Sequence, residues 1–207
     1  MIHPRGKAAA IAALVLLLTA CATAPRQPAT DSNTGWRRQQ QQLGTLTVWQ
    51  LAGRMSVQLE SEGWSASLYW WQDNDKYRLR IVAPLGRGAV EIAGDHETVS
   101  LHTADNRILR DGDIAVMMRE NLGWEVPVDA LVYWIRGLPQ PGTPAENLQL
   151  DESGRLSAVD QAGWNIRYDR YINTDGYEVP TRMTVQRLMF RPNRNWSRCT
   201  VILVGTS

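Results

Sequence analysis

Phenylalanine occurs once in 207 residues, cysteine twice and histidine three times, while tryptophan occurs nine times. Each scarcity removes a class of function. Two cysteines cannot make a disulfide framework, and if Cys21 is chemically used then Cys199 has no partner within the chain. Of the histidines, His3 lies at the start, and His96 and His102 sit in or beside one predicted strand without a cluster of other ligands, so no metal site is expected. Asp73-Asn74-Asp75 begins like a calcium loop, but Arg78 stands where that loop needs glycine, and a plain turn is the better reading. The chain has no Gly-x-Ser-x-Gly elbow, no Cys–His pairing and no phosphate-binding Gly-Lys-Ser/Thr, and Gly86-Arg87-Gly88 is not a phosphate cradle. No catalytic residue and no cofactor are therefore assigned. Charge of one sign is missing too. Lys and Arg number 22 against 21 Asp and Glu, with no basic stripe for nucleic acid and no polybasic segment for anionic lipid.

A long apolar run is also absent. The longest, Ala8 to Ala20, falls short of the roughly 20 residues that span a bilayer. It follows the basic Arg5 and Lys7 and ends Leu18-Thr19-Ala20-Cys21, the order of n-region, h-region and small-residue cleavage site of a secretory signal. The ending resembles a lipobox, which predicts removal of residues 1–20 and lipid on Cys21. Loss of Arg5 and Lys7 leaves the body close to neutral, so attachment would rest on covalent lipid, and two or three acyl chains hold stably where one does not. Residues 21–33 then form the lipidated cysteine and a small, polar, Pro-containing tether reaching about 20 Å. The rest, 34–207, suits one domain.

What is abundant is alternation. Gly35 to Thr45 is rich in helix formers behind the possible caps Ser32, Asn33 and Thr34. Trp49, Leu51, Gly53, Met55, Val57 and Leu59 then alternate with polar neighbours, as do Trp64, Ala66, Leu68 and Trp70, and after the turn Asp73 to Lys76 so do Tyr77, Leu79, Ile81 and Ala83. Period two predicts strands with one apolar and one wet face. Shorter strands are predicted at Val90 and Ile92 and at Val99 and Leu101, then helices at 114–122, capped by Asp111, and at 128–136, stopped by Gly137 and Pro139. Strands resume at Leu148 and Leu150, at Leu156 and Ala158, and at Trp164, Ile166 and Tyr168. Successive strands with polar turns make an antiparallel meander, and there is no internal repeat.

Two features invite a binding function. Trp49, Trp64, Trp70 and Trp164 fall on apolar strand faces. They either fill a core or, with Leu51, Met55, Leu68, Leu79, Ile81 and Ile166, line a cavity in a curled sheet; sequence leaves both open. Pro84-Leu85-Gly86 places a large aliphatic residue where a strand connection should be polar. Leu85 either folds back onto the body or stands out as an apolar contact for a bilayer.

Further motifs run in order along the body: Gly53-Arg54, Tyr77-Arg78-Leu79 leading to Pro84-Leu85-Gly86, Trp134-Ile135-Arg136-Gly137-Leu138-Pro139, Gly154-Arg155-Leu156, Gly163-Trp164 with Tyr168, and Pro180 with Met183. Behind a lipobox, this series resembles the LolB family, outer-membrane lipoproteins that receive other lipoproteins from the periplasmic carrier LolA. The resemblance implies a mainly β fold with a few helices: an incomplete antiparallel β-barrel whose apolar cavity, covered by helices, takes acyl chains. It implies a protruding loop with an apolar tip that delivers cargo into the membrane, a role that falls to Leu85. Ala22 is not the aspartate that favours inner-membrane retention, so residence on the periplasmic face of the outer membrane is implied. The partners implied are the LolA carrier, lipoprotein acyl chains and outer-membrane lipid, and the chain is expected to act as a monomer. The C-terminus departs from the family pattern: Arg187 to Ser207 is interrupted by Pro192 and Asn193, contains Cys199, and ends in an apolar run from Thr200 to Val204. The competing expectation is a scaffold lipoprotein with a filled barrel and no cargo. A hydrolase whose site the sequence does not reveal is the third.

Overall fold

The computed structural model describes residues 32–58, 63–84, 88–95, 97–110, 116, 118 and 127–187, with the backbone of 198–204. The predicted signal segment, Cys21 and the tether up to residue 31 lie outside the described residues.

Helix α1 (Ser32–Gly44) opens the described chain and takes in Ser32 and Asn33, which the sequence assigned to the tether. Six strands follow: β1 (Val48–Gln58), β2 (Gly63–Asp73), β3 (Lys76–Val82), β4 (Ala89–Gly94), β5 (Val99–His102) and β6 (Ile108–Arg110). Helix α2 (Val128–Trp134) precedes β7 (Ala145–Leu150), β8 (Leu156–Gln161), β9 (Trp164–Thr174), β10 (Tyr177–Arg187) and β11 (Arg198–Val204). All eleven strands belong to one sheet, in the order β6-β5-β4-β3-β2-β1-β11-β10-β9-β8-β7. Two meanders thus spread from the seam between β1 and β11, and the edges β6 and β7 are not joined. The result is the open, mainly β antiparallel architecture expected, with α2 in the connection between the two edges.

Register makes the inner face continuous. Leu51 pairs with Trp70, Trp70 with Leu79, Leu79 with Ile92, Ile92 with Leu101 and Leu101 with Leu109. One apolar row therefore crosses six strands, and each side chain on it is shielded by its cross-strand neighbours. Across the seam, Val57 pairs with Cys199, Cys199 with Val185, Val185 with Ile166 and Ile166 with Val159. Cys199, unexpected in the sequence, takes a register position between Val57 and Val185, both buried. The atypical C-terminus thus supplies a strand at the centre of the sheet.

Some expectations are corrected. Leu148 on β7 is exposed, because that edge strand has no second neighbour and its register to β8 slips between Glu146 and Leu150. On β8 the inward residues are Leu156, Val159 and Gln161 rather than Ala158, since the same irregularity shifts the alternation. Strand β6, with only three residues, carries too little pattern to be predicted. Of the predicted helix 114–122, Val116 and Met118 are described as helical, and Met118 is fully buried in the core.

Candidate functional site

Helix α2 is short and is held over the concave face by side chains from the sheet. The Trp134 indole Nε1 donates to Gln161 Oε1 at 2.8 Å, and the Tyr168 hydroxyl donates to the Trp134 carbonyl at 2.8 Å. The Gln161 amide also accepts from the Gln140 backbone N–H at 2.8 Å and donates to the carbonyls of Gln140 and Thr143, each at 2.9 Å. Gln161 and Trp134 are both almost wholly buried, so this mutual satisfaction is what allows polar groups inside the core. Burial likewise pushes the Tyr168 phenol well above its usual range.

Arg136 ties α2 to α1. Its Nη1 donates to the carbonyls of Leu43 and Leu46, at 3.1 and 2.7 Å, and its Nε to the Val132 carbonyl at 3.0 Å. The Leu43 and Leu46 carbonyls lie at and just beyond the C-terminal end of α1, the negative pole of its dipole, and the Val132 carbonyl belongs to α2, so the buried guanidinium is matched by backbone oxygens. Desolvation still lowers its pKa from the ordinary arginine value. Gly137, at φ +81°, turns the chain immediately afterwards where a Cβ would press on the Tyr171 ring.

Space remains at the end of the concave face where α1 stops. A cleft of about 530 Å³ lies between the β2–β3 turn and α2, walled by Trp49, Tyr77, Val132 and Tyr133, with Asp75, Asp95, Asp129 and Arg136 also on it. A second, of about 240 Å³, runs between the start of β1 and the β9–β10 hairpin, where Leu46, Val48, Leu51, Ile135, Ile172 and Val179 make it largely apolar. Trp49 and Arg136 border both. Trp49 also stands 5.5 Å from Trp70, ring centre to ring centre, and Trp70 stands 6.4 Å from Tyr77. The Trp70 indole is satisfied by Gln72 Oε1 at 2.9 Å, and the Gln72 amide in turn donates to the Asn74 carbonyl. Burial, followed by the charges of Asp129 and Asp95, raises the Tyr77 hydroxyl to about 12.

The ten residues named from the sequence share the inner face but divide in surroundings. Met55, Leu68, Trp70, Leu79, Ile81, Trp164 and Ile166 are buried in the core cluster, and Trp64 packs half-buried against it. Trp49 and Leu51 are half-buried and line the clefts. Pro84 is described and exposed, while Leu85 and Gly86 lie outside the described residues. A bond of 3.0 Å from Ala83 N–H to the Gly88 carbonyl closes the base of that connection, and Gly88, at φ +111°, occupies backbone space that side-chain-bearing residues rarely enter. Gln161, Gln72 and Asp129 were missed because isolated polar residues read as wet. For Arg136 the signal in the sequence is a lone Arg between Ile135 and Gly137 behind an apolar helix.

Residues 47–203 match the family described as outer membrane lipoprotein LolB. An outer-membrane lipoprotein LolB of Pseudomonas syringae pv. syringae is 35% identical over 173 residues, which covers 82% of this chain and 84% of that protein. The outer-membrane lipoprotein LolB of Pseudomonas aeruginosa is 35% identical over 176 residues, covering 83% and 85%. Among solved structures, a LolA superfamily protein from Nitrosomonas europaea superposes with a TM-score of 0.53 at 8% identity, over 86% of this chain and 93% of that one, a likeness of fold alone. The motifs along the strands, the open sheet with α2 across it and these relatives agree, and the chain belongs to the LolB family of outer-membrane lipoproteins.

Proposed function

We propose that this protein is the receptor that accepts lipoproteins from the periplasmic carrier LolA, shelters their acyl chains against the concave face of its sheet, and releases them into the outer membrane. The observation that carries this reading is the unfilled space under Trp49, continuous with the aromatic row through Trp70 and Tyr77. Its volume lies within the range of about 300–1,000 Å³ common for ligand sites. Each acyl methylene kept from water is worth about 0.8 kcal/mol, so a lipoprotein cannot cross the periplasm with its chains bare. A carrier with the same fold as its receptor would pass the chains between two similar concave faces, and the LolA-superfamily likeness is in keeping with that. The sequence has no nucleotide-binding motif, so the handover runs downhill, from carrier to receptor to bilayer, and needs no catalytic step. Cys21 holds the body at the membrane, and Leu85, between β3 and β4, makes the apolar contact through which the chains leave.

The test is Leu85→Glu in the lipidated protein. Uptake of cargo from the carrier should persist while delivery to liposomes stops, and normal delivery by the variant would sink the proposed role of Leu85. A scaffold role without cargo has one observation in its favour: most of the inward tryptophans and aliphatics are packed tightly. Saturable displacement of a fluorescent fatty acid decides for the receptor, and no binding decides for the scaffold.

A further inference from the structure

The outer face of β1–β3 is unlike an ordinary solvated sheet surface. Tyr69 and Trp71, both on β2, point away from the core and remain 39% and 38% exposed. Their rings stack, with centres 6.2 Å apart and planes 18° from parallel. Register places Tyr69 between Ala52 of β1 and Arg80 of β3, and Trp71 between Gln50 and Arg78. Arg54 follows one pair along, opposite Ser67, and its row continues through Ile202 to Arg182 and on to Arg170. Arg54, Arg80, Arg170 and Arg182 are exposed. The acids beside the aromatic pair are Asp73, two residues along β2 from Trp71 and on the same face, and Glu91, opposite Arg80 in register and 3.6 Å from Arg78. Around Tyr69 and Trp71, Arg54, Arg78 and Arg80 thus outnumber Asp73 and Glu91, while Asp75, Asp95 and Asp129 gather at the cleft of about 530 Å³.

We propose that this face is a membrane-contact surface of its own, separate from the Leu85 connection, and that it lies against an anionic phospholipid leaflet. Guanidinium groups match phosphate oxygens in charge and in bidentate geometry. Tryptophan and tyrosine are the side chains that settle at the boundary between headgroups and acyl chains, with the ring in the apolar layer and the polar edge in the wet one. An outer-membrane lipoprotein is never far from such a leaflet, so a weak surface is enough to orient it. Docked this way, the sheet turns its convex side to the lipid and its cleft toward the periplasm, where a soluble donor would arrive.

The experiment uses the mature lipidated protein in vesicles of phosphatidylcholine, with or without phosphatidylglycerol, some carrying brominated acyl chains. The difference in quenching between wild type and Trp71→Tyr reports the position of Trp71. We expect Trp71 to be quenched in the phosphatidylglycerol vesicles, and less so at high salt. A basic residue near an anionic leaflet strengthens attachment about fivefold. Arg54→Gln, Arg78→Gln and Arg80→Gln should therefore each lower the docked fraction by up to that factor, with unchanged circular dichroism as the folding control. Leu85→Glu should leave the quenching in place, which separates this surface from the proposed delivery contact. The proposal is overturned if Trp71 escapes quenching, if quenching ignores anionic lipid and the three arginines, or if the ring is shielded only when a carrier protein is added.

Discussion

The two ends of the concave face use the same kinds of residue to opposite effect. At one end Trp134, Val159, Ile166 and Met183 are fully buried, and Gln161 and Tyr168 turn their polar atoms inward to satisfy one another and the backbone. At the other end Trp49 and Tyr77 are only half-buried, and the clefts open beside them. The polar groups differ between the ends. An amide or a phenol can be taken out of water once its bonds are met, whereas a carboxylate costs far more to bury. Asp75, Asp95 and Asp129 lie on the cleft at the second end, where Trp49 and Tyr77 stay half-buried. One sheet thereby combines a rigid floor with an open mouth.

The largest effect that would test this contrast is on the packed end. Trp134→Ala should cost about 3–5 kcal/mol in urea unfolding, because it removes a fully buried indole and one of the two hydrogen bonds that Gln161 Oε1 accepts. Trp49→Ala should cost about 1 kcal/mol, since much of its ring already faces the clefts, yet it should weaken fatty-acid displacement several-fold while Trp134 remains in place. Equal stability losses for the two variants would break the comparison. The smallest effect is a titration. Tyr77 has its folded pKa raised to about 12 from 10, so between those values the unfolded chain releases the proton first and the folded chain keeps it. Its contribution to stability is therefore complete below about pH 10 and lost as pH rises through 12. Tyr77→Phe should flatten that part of the stability profile, and an unchanged profile would place Tyr77 in water.

Most strands were legible because their burial is one-sided. Met55, Leu68, Trp70 and Leu79 are inward where period two put them, and the family motifs already pointed to an open barrel. What sequence could not carry was any property that depends on which strands become neighbours. Arg54 and Arg182 are remote in the chain, and only the seam strand β11 brings them onto one row, so the absence of a basic stripe in the sequence did not foretell the basic face. The same holds for Arg136, whose acceptors Leu43 and Leu46 lie at and just past the end of a helix some ninety residues earlier. Asp75, Asp95 and Asp129 reach the cleft beside Trp49 from three separate segments, and alternation does not report such convergence.

Helix α1 begins beside Gly154 in the β7–β8 turn. Gly154 has φ +81°, and a Cβ added there would lie 2.7 Å from the Gly35 Cα. Further along the helix, the Gln39 amide holds the Glu178 carbonyl at 2.6 Å. A lipid anchor on Cys21, as proposed, would lie on the N-terminal side of this helix, so tension from the membrane would enter the protein here. It would be taken up along a helix clamped at Gly154, at Glu178 and, through Arg136, at its far end. The Gly154 clamp sits in the turn that joins edge strand β7 to β8, so the load would reach the sheet beside one open edge and, through Glu178, on β10.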